Sequence, residues 1–466
     1  RIIVNASGDR LDLILCIEDE RRLKEKTMQK EDSSYLLIRN MSELWTPEGR
    51  RAVSGPSMAQ VRKIQDACIY IENGRISWVG EESELVASDS PLAHKALEGP
   101  IYDAQERCCV PGFVDSHTHF VFAGWRVDEF YWRTKGIAYM EMHKRGGGIQ
   151  NSVNATREAS LEKLIHIGER RLDTMLSLGI TTVEGKSGYG LDIETEIRQL
   201  LAMRALSERI DGPDIVPTFL GAHSIPPEFK GRPREFLAFL VEKVLPRVKK
   251  DNLAHFVDIF CEEGVFGIED SRWYLEKARA AGFSLKLHAD EIAPIGGTAL
   301  AAELHATSAD HLLKASDADI ATLAGSGTVA CLLPLTAFNL QEPCADGRRF
   351  IDAGCAVALA SDLNPGSCYS QSIPLIFALA VLNMGMTIEE ALTALTLNGA
   401  AALGLASHTG SIEPGKNADI LLLNAPSPSH LGYHVGMNIV DTVFKRGIPV
   451  WRNGNIHYCY EPCIRI

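Results

Sequence analysis

From Tyr35 onward the chain alternates short apolar runs with turns. YLLIRN and then ACIYIENGRISWVG read as paired strands, the second pair joined at Asn73-Gly74, a dipeptide suited to a tight hairpin. After Val110 the pattern changes. Eight short apolar or β-branched runs follow: PGFVDSHTH, GITTVEGKSGYG, IVPTFLGAHS, FVDIFCEEG, SLKLHAD, TSADHL, TVACLLP and AVALASDLNP. Each precedes a stretch able to form a helix, such as LEKLIHIGERRLDTMLSL after the first. Eight strand–helix units predict a (β/α)8 TIM-like barrel over residues 110–405. The tail returns to strands in ADILLLN and VDTVFKRGIPVWRNG. Residues 35–109 and 406–466 are therefore expected to form one small β-sandwich domain from both chain ends. Residues 1–34, with the charged run ERRLKEKTMQKEDSS, show no apolar face and are expected to be a poorly ordered extension.

Composition narrows the classes. The 466 residues are 45% hydrophobic and 23% charged, ordinary for a globular protein, and carry a formal net charge of −13. That balance argues against nucleic acid and against an anionic membrane surface. The longest apolar stretch, IPLIFALAVLNMG, falls short of the roughly 20 residues of a membrane span. The opening residues lack the pattern of a secretory signal. The 11 cysteines are scattered, with one adjacent pair (Cys108, Cys109) and one C-x3-C (Cys459, Cys463). Free thiols in a reducing cytoplasm are the expectation.

In such a barrel, chemistry gathers at the C-terminal ends of the strands. Those ends carry His117, His119, Lys186, His223, Glu262, Glu263, His288, Asp290, Glu291, Asp310, His311 and Asp362. Five of the 14 histidines stand there. His117 and His119 are two apart, so on an extended backbone they face one way. With His288 and Asp362 they make three imidazoles and a carboxylate, a set suited to zinc or iron. Such an ion acidifies a bound water. Asp362 could take the water's proton, and Glu291, in H-x-x-E with His288, stands close to the reacting atoms. The fourth strand ends in Glu262 and Glu263 and lacks a lysine able to carry a bridging carbamate, so one ion is the simpler reading. Lys186 reads best as an ion pair with Glu184 or Glu262.

These motifs resemble the amidohydrolase superfamily: PGFVDSHTH on the first strand and GSIEPGKNADILLLN after the barrel. Longer blocks resemble its imidazolonepropionase family, which acts in histidine degradation. They are HTHFVFAGWRVDEF, YMEMHKRGGGIQ, TTVEGKSGYGLDIETE, FLGAHSIPPEF, VDIFCEEGVF, LHADE, SADHL and SDLNPGS. The resemblance implies hydrolysis of the ring amide of 4-imidazolone-5-propanoate to N-formimidoyl-L-glutamate. It implies one divalent or trivalent ion per chain, zinc or iron, on His117, His119, His288 and Asp362. It also implies that Arg126 grips the substrate's carboxylate through a bidentate fork. Tyr189 and His223 face the ring and its carbonyl, His223 steadying the developing oxyanion. Glu291 contacts the ring, and Asn364, Gly366 and Ser367 surround the substrate's tail. His311 handles protons or supports the site. The partner is thus a small carboxylate-bearing molecule, and pairing into a homodimer is a further expectation. Phe120 and Trp125 depart from the family's usual residues, Trp125 directly beside Arg126. The competing reading is a metal-dependent deaminase of a heterocyclic base, which would need no carboxylate clamp.

Overall fold

The computed structural model describes residues 35–136 and 148–453. The charged extension of residues 1–34, most of YMEMHKRGGGIQ, and the Cys459/Cys463 pair lie outside the described residues.

The strands are β1 (Tyr35–Pro47), β2 (Val61–Glu72), β3 (Arg75–Glu81), β4 (Ile101–Asp103), β5 (Cys108–Pro111), β6 (Phe113–Asp115), β7 (Ile180–Lys186) and β8 (Asp214–Ala222). They continue as β9 (Phe256–Cys261), β10 (Ser284–Ala289), β11 (Ser308–His311), β12 (Val329–Leu332), β13 (Val357–Leu359), β14 (Ile420–Leu423), β15 (Val440–Lys445) and β16 (Ile448–Arg452). β6 to β13 pair in sequence order as one parallel sheet. They coincide with the eight runs read from the sequence. The first and last strands meet past their ends, where Thr118 bridges Leu363 in parallel. Asp362 N donates to the His117 carbonyl and His119 N to that of Leu363, both at 2.9 Å. Asp115 adds a buried clasp, accepting from Ser361 N at 2.9 Å and Ser361 Oγ at 2.6 Å. The barrel closes at the residues that carry the candidate ligands.

Burial drives the crossover helices onto this sheet. In Leu161–Ser177 the Ser160 hydroxyl accepts from Lys163 N, capping the start, and Leu164, Gly168, Arg171, Leu172, Met175 and Leu176 form the buried stripe. Gly168 is needed for contact: a Cβ there would meet Leu206 Cδ1 at 2.5 Å. Ile373–Asn383 is buried along most of its length. Among the described residues no helix is long and apolar enough to cross a membrane.

The second sheet runs β16-β15-β14-β5-β1-β2-β3, with β4 beside β1, so both chain ends build it. It folds over its own core, where Ile38, Ile69 and Ile76 of β1 to β3 meet Ile420, Leu422 and Phe444 of β14 and β15. The Asn73-Gly74 turn joins β2 to β3, with φ of 51° and 75° at the two residues. Lys445 ties this domain to the start of β8: its buried Nζ lies 2.7 Å from both Asp214 Oδ2 and Asp419 Oδ2. The eight described cysteines are all free, seven of them buried.

Candidate metal centre and active site

Four strand ends converge at the top of the barrel. His117, His119 and His288 each bring a ligand atom within 4.8 Å of the others, and His117, His311 and Asp362 do the same. Asp362 Oδ1 stands 3.5 Å from His117 Nε2 and 3.6 Å from His119 Nε2. The Asp362 carboxyl is anchored at its other oxygen by the Thr336 hydroxyl, 2.6 Å away. Its backbone is left-handed at φ 54°, as are Asp290 (48°), His311 (79°) and Leu312 (60°) on neighbouring loops. Non-glycine residues held there carry strain, and such strain collects at functional sites.

The residues fit a metal. His117 Nε2, His119 Nδ1 and His288 Nε2 are buried without a hydrogen-bond partner. Each such orphan costs about 1–3 kcal/mol unless something ligates it. Burial first, then the neighbouring Lys186 ammonium and imidazoles, pushes His117 and His288 well below the ordinary histidine range. His119 is lowered likewise by burial and its neighbouring histidines. The rings are therefore neutral, the form that ligates a metal. Burial lifts the Asp362 carboxyl to about 7.

Behind the ligands lies a fully buried set of charges. His117 Nδ1 is 2.7 Å from Asp310 Oδ2, and His288 Nδ1 is 3.1 Å from Asp258 Oδ2. Both carboxylates suit the task of fixing an imidazole's tautomer so that Nε2 points at the metal. Lys186 Nζ sits among Asp258, Glu184 and Asp310, and Lys286 Nζ pairs with Glu184. Pairing of Lys186 with Glu184 follows the sequence expectation. Glu262, the other partner considered, is engaged elsewhere: it accepts the backbone N–H groups of Glu291, Ile292 and Ala293 at 2.9–3.1 Å. Asp290 likewise serves its loop, accepting from Gly296, Gly297 and Thr298 at the start of the next helix. Glu263 is exposed. Asp258 and Lys286 were missed as site residues. The readable signal was a charged side chain inside an apolar strand, which must find a buried partner.

On the solvent side, Tyr189 is buried beside His223 and His119, with ring centroids 5.2 and 5.7 Å away. His223 stacks on His119 at 5.0 Å. Its Nδ1 faces the Gly188 carbonyl at 3.0 Å, so that nitrogen carries the proton. Burial lowers its pKa to about 4, leaving Nε2 as an acceptor. His311 Nε2 lies 3.6 Å from Glu291 Oε2. Burial, then the charges of Asp362 and Glu262, raises the Glu291 carboxyl to about 8.

Arg126 begins the helix Val127–Thr134. The bidentate edge expected to grip substrate is occupied by a residue three positions on: Nε and Nη2 donate to Glu129 at 2.8 and 2.6 Å. Nη1 instead lies against Gly366, where a Cβ would overlap it and stand 3.2 Å from Cζ. Asn364 shapes that loop. Its Oδ1 accepts from Gly366 N and Ser367 N at 2.8 Å, and its Nδ2 donates to the Ser367 hydroxyl at 2.9 Å. Other supports of the Arg126 loop gave no sequence signal. Arg171 donates to the carbonyls of Phe120 and Phe122 at 2.6 and 3.0 Å, Gln199 to that of Val121 at 2.6 Å.

A barrel with imidazoles and a carboxylate converging at its strand ends is the framework of a metal-dependent hydrolase. The amidohydrolase family model matches residues 109–450, and the chain belongs to that family. The imidazolonepropionase of Parabacteroides distasonis is 52% identical over 416 residues, covering 89% of this chain and 99% of its own. That of Bacteroides fragilis is 53% identical over 420 residues (89% and 99%), and that of Clostridium tetani 49% over 417 (90% and 98%). Within the amidohydrolases, the chain falls among the imidazolonepropionases. Solved structures share the fold at low identity. An Aspergillus niger ochratoxinase superposes with a TM-score of 0.65 at 17% identity, covering 91% of this chain and 97% of its own. A 5-methylcytosine deaminase from Klebsiella pneumoniae gives 0.64 at 18%, covering 91% and 100%.

Proposed function

We infer that the protein hydrolyses the ring amide of 4-imidazolone-5-propanoate, releasing N-formimidoyl-L-glutamate. The carrying observation is identity of about half the residues to imidazolonepropionases over nearly their whole length. His117, His119, His288 and Asp362 would hold one zinc or iron ion. Bound there, such an ion polarises the ring carbonyl and acidifies water.

The chain's own groups supply the rest. Asp310 and Asp258 keep His117 and His288 oriented. Asp362 Oδ1, facing the two histidines of β6, is placed to take the water's proton. Glu291, protonated near neutrality with its carboxyl at about 8, gives a proton to the leaving ring nitrogen. The proton taken from water by Asp362 makes good that loss, and His311 stands 3.6 Å from the Glu291 carboxyl. The neutral His223 offers Nε2 to a ring N–H. The propionate meets Arg126 at Nη1, beside Gly366, while Glu129 holds the opposite edge rigid. Tyr189 walls the ring, and Asn364 and Ser367 order the loop under the tail. Binding energy thus becomes orientation. Free thiols throughout the described residues suit the reducing cytoplasm in which we place the enzyme.

The test is incubation of metal-replete protein with freshly generated imidazolone propionate, following loss of its ultraviolet absorbance. Absence of turnover would overturn the reading.

A further inference from the structure

The two lysines beneath the centre have no part in the hydrolysis. Lys186 Nζ lies 2.7 Å from Asp258 Oδ2, 3.0 Å from Glu184 Oε2 and 3.4 Å from Asp310 Oδ2. Lys286 Nζ is 2.8 Å from the same Glu184 oxygen and 3.8 Å from Asp310, and donates to the Ser116 carbonyl at 2.9 Å. All five side chains are fully buried. Three carboxylates therefore face two ammonium groups, in a place where every unbalanced charge is costly.

A second fact bears on the same spot. His117, Glu184 and Asp310 bring three ligand atoms within 4.8 Å of one another. This is a second cation-ready grouping, and it shares His117 with the first. Both ammonium groups stand within ion-pair distance of its two carboxylates, and Lys186 reaches Asp258 as well.

We propose that Lys186 is a positioning residue that restricts the centre to a single ion, its ammonium occupying the place a second cation would take. It also holds Asp258 and Asp310 where they orient His288 and His117. The proposal rests on the ligand assignment made above. Without Lys186, three carboxylates would face one ammonium. The two uncompensated negative charges match one divalent ion, to which Glu184 and Asp310 would offer carboxylate oxygens.

The test is Lys186→Met, close in length and volume but uncharged. Wild type and variant are stripped with chelator, dialysed against excess zinc and analysed for bound metal, and cobalt replaces zinc to read each site's visible absorbance. Wild-type protein is expected to retain one ion and the variant two, with a second set of cobalt bands. Zinc is also expected to raise the variant's melting temperature more than the wild type's. A folded variant holding one ion, with the wild-type cobalt spectrum and chelator-competition affinity, overturns the proposal. So does a variant that stays unfolded in excess zinc. Wild-type protein that takes up no ion would overturn the ligand assignment and this proposal together, whereas one ion in the variant overturns this proposal alone. Neither readout depends on turnover.

Discussion

Gly366→Ala isolates the contact between the substrate's carboxylate and Arg126. A Cβ at residue 366 would overlap Arg126 Nη1 and stand 3.2 Å from Cζ, short of the roughly 3.5–4.0 Å of relaxed carbon contact. The guanidinium, held at its opposite edge by Glu129, pivots on that pair and yields before the backbone does. Folding is therefore expected to be nearly unaffected. The displaced Nη1, however, moves by about 1 Å from its aligned position, and a charge-assisted hydrogen bond is worth about 1.5–3 kcal/mol. At about 1.4 kcal/mol per tenfold, KM should rise on the order of 10- to 100-fold. The fall in kcat should be smaller, because the reacting atoms are held by other strands. The assay is steady-state turnover in Gly366→Ala, Arg126→Ala and the double variant, with thermal melting as a check on folding. Because the added methyl acts only through the guanidinium, it should cost nothing further once Arg126 is gone. An unchanged KM in the single variant, or an equal penalty in both backgrounds, would refute the reasoning.

Glu291 works as a proton donor with its carboxyl raised to about 8, so kcat should fall as pH rises through that value and the proton is lost. In Glu291→Gln the overall rate should drop and that alkaline limb disappear from the pH profile. Lys445→Met leaves buried Asp419 without the ammonium 2.7 Å away, while Asp214 keeps Arg446 at 2.9 Å. It should destabilise the join between the domains by about 3–5 kcal/mol, seen as a lowered melting temperature in calorimetry. Chelator-treated protein should melt below metal-replete protein, since an ion present at about 100 times its Kd stabilises by about 2.7 kcal/mol. Added zinc or iron should restore the difference, and identical melting curves would count against a metal on the strand-end histidines.

The expected partner contacts divide by their physics. Alternation along β7, β10 and β11 sets Glu184, Lys286 and Asp310 on the face opposite Val183, Leu285 and Ala309, but not which charge meets which. That depends on strand stagger, which sets the height of each side chain in the barrel. Glu262 and Asp290 stand at strand ends as the ligands do, yet their oxygens are taken by the N–H groups of loops. A loop's path is invisible to strand periodicity. The same limit applies to Arg126, whose fork is closed by Glu129 through a helical turn begun at that very residue.

The sequence by itself determined the architecture and which imidazoles and carboxylates stand at the strand ends. Eight apolar runs spaced by helical stretches admit few folds, and imidazoles at their ends have one face on which to gather. It also determined the smaller domain, since the Asn73-Gly74 hairpin and the closing strands each leave an apolar face needing cover. Tertiary structure alone decided what each polar group is engaged with: His223 Nδ1 against the Gly188 carbonyl, Arg126 bound along one edge by Glu129, Lys186 among three carboxylates. Burial is a demand that any chain pattern announces. Hydrogen-bond direction and charge pairing depend on distances of a few ångströms between residues far apart in the chain, and only the closed barrel sets those distances.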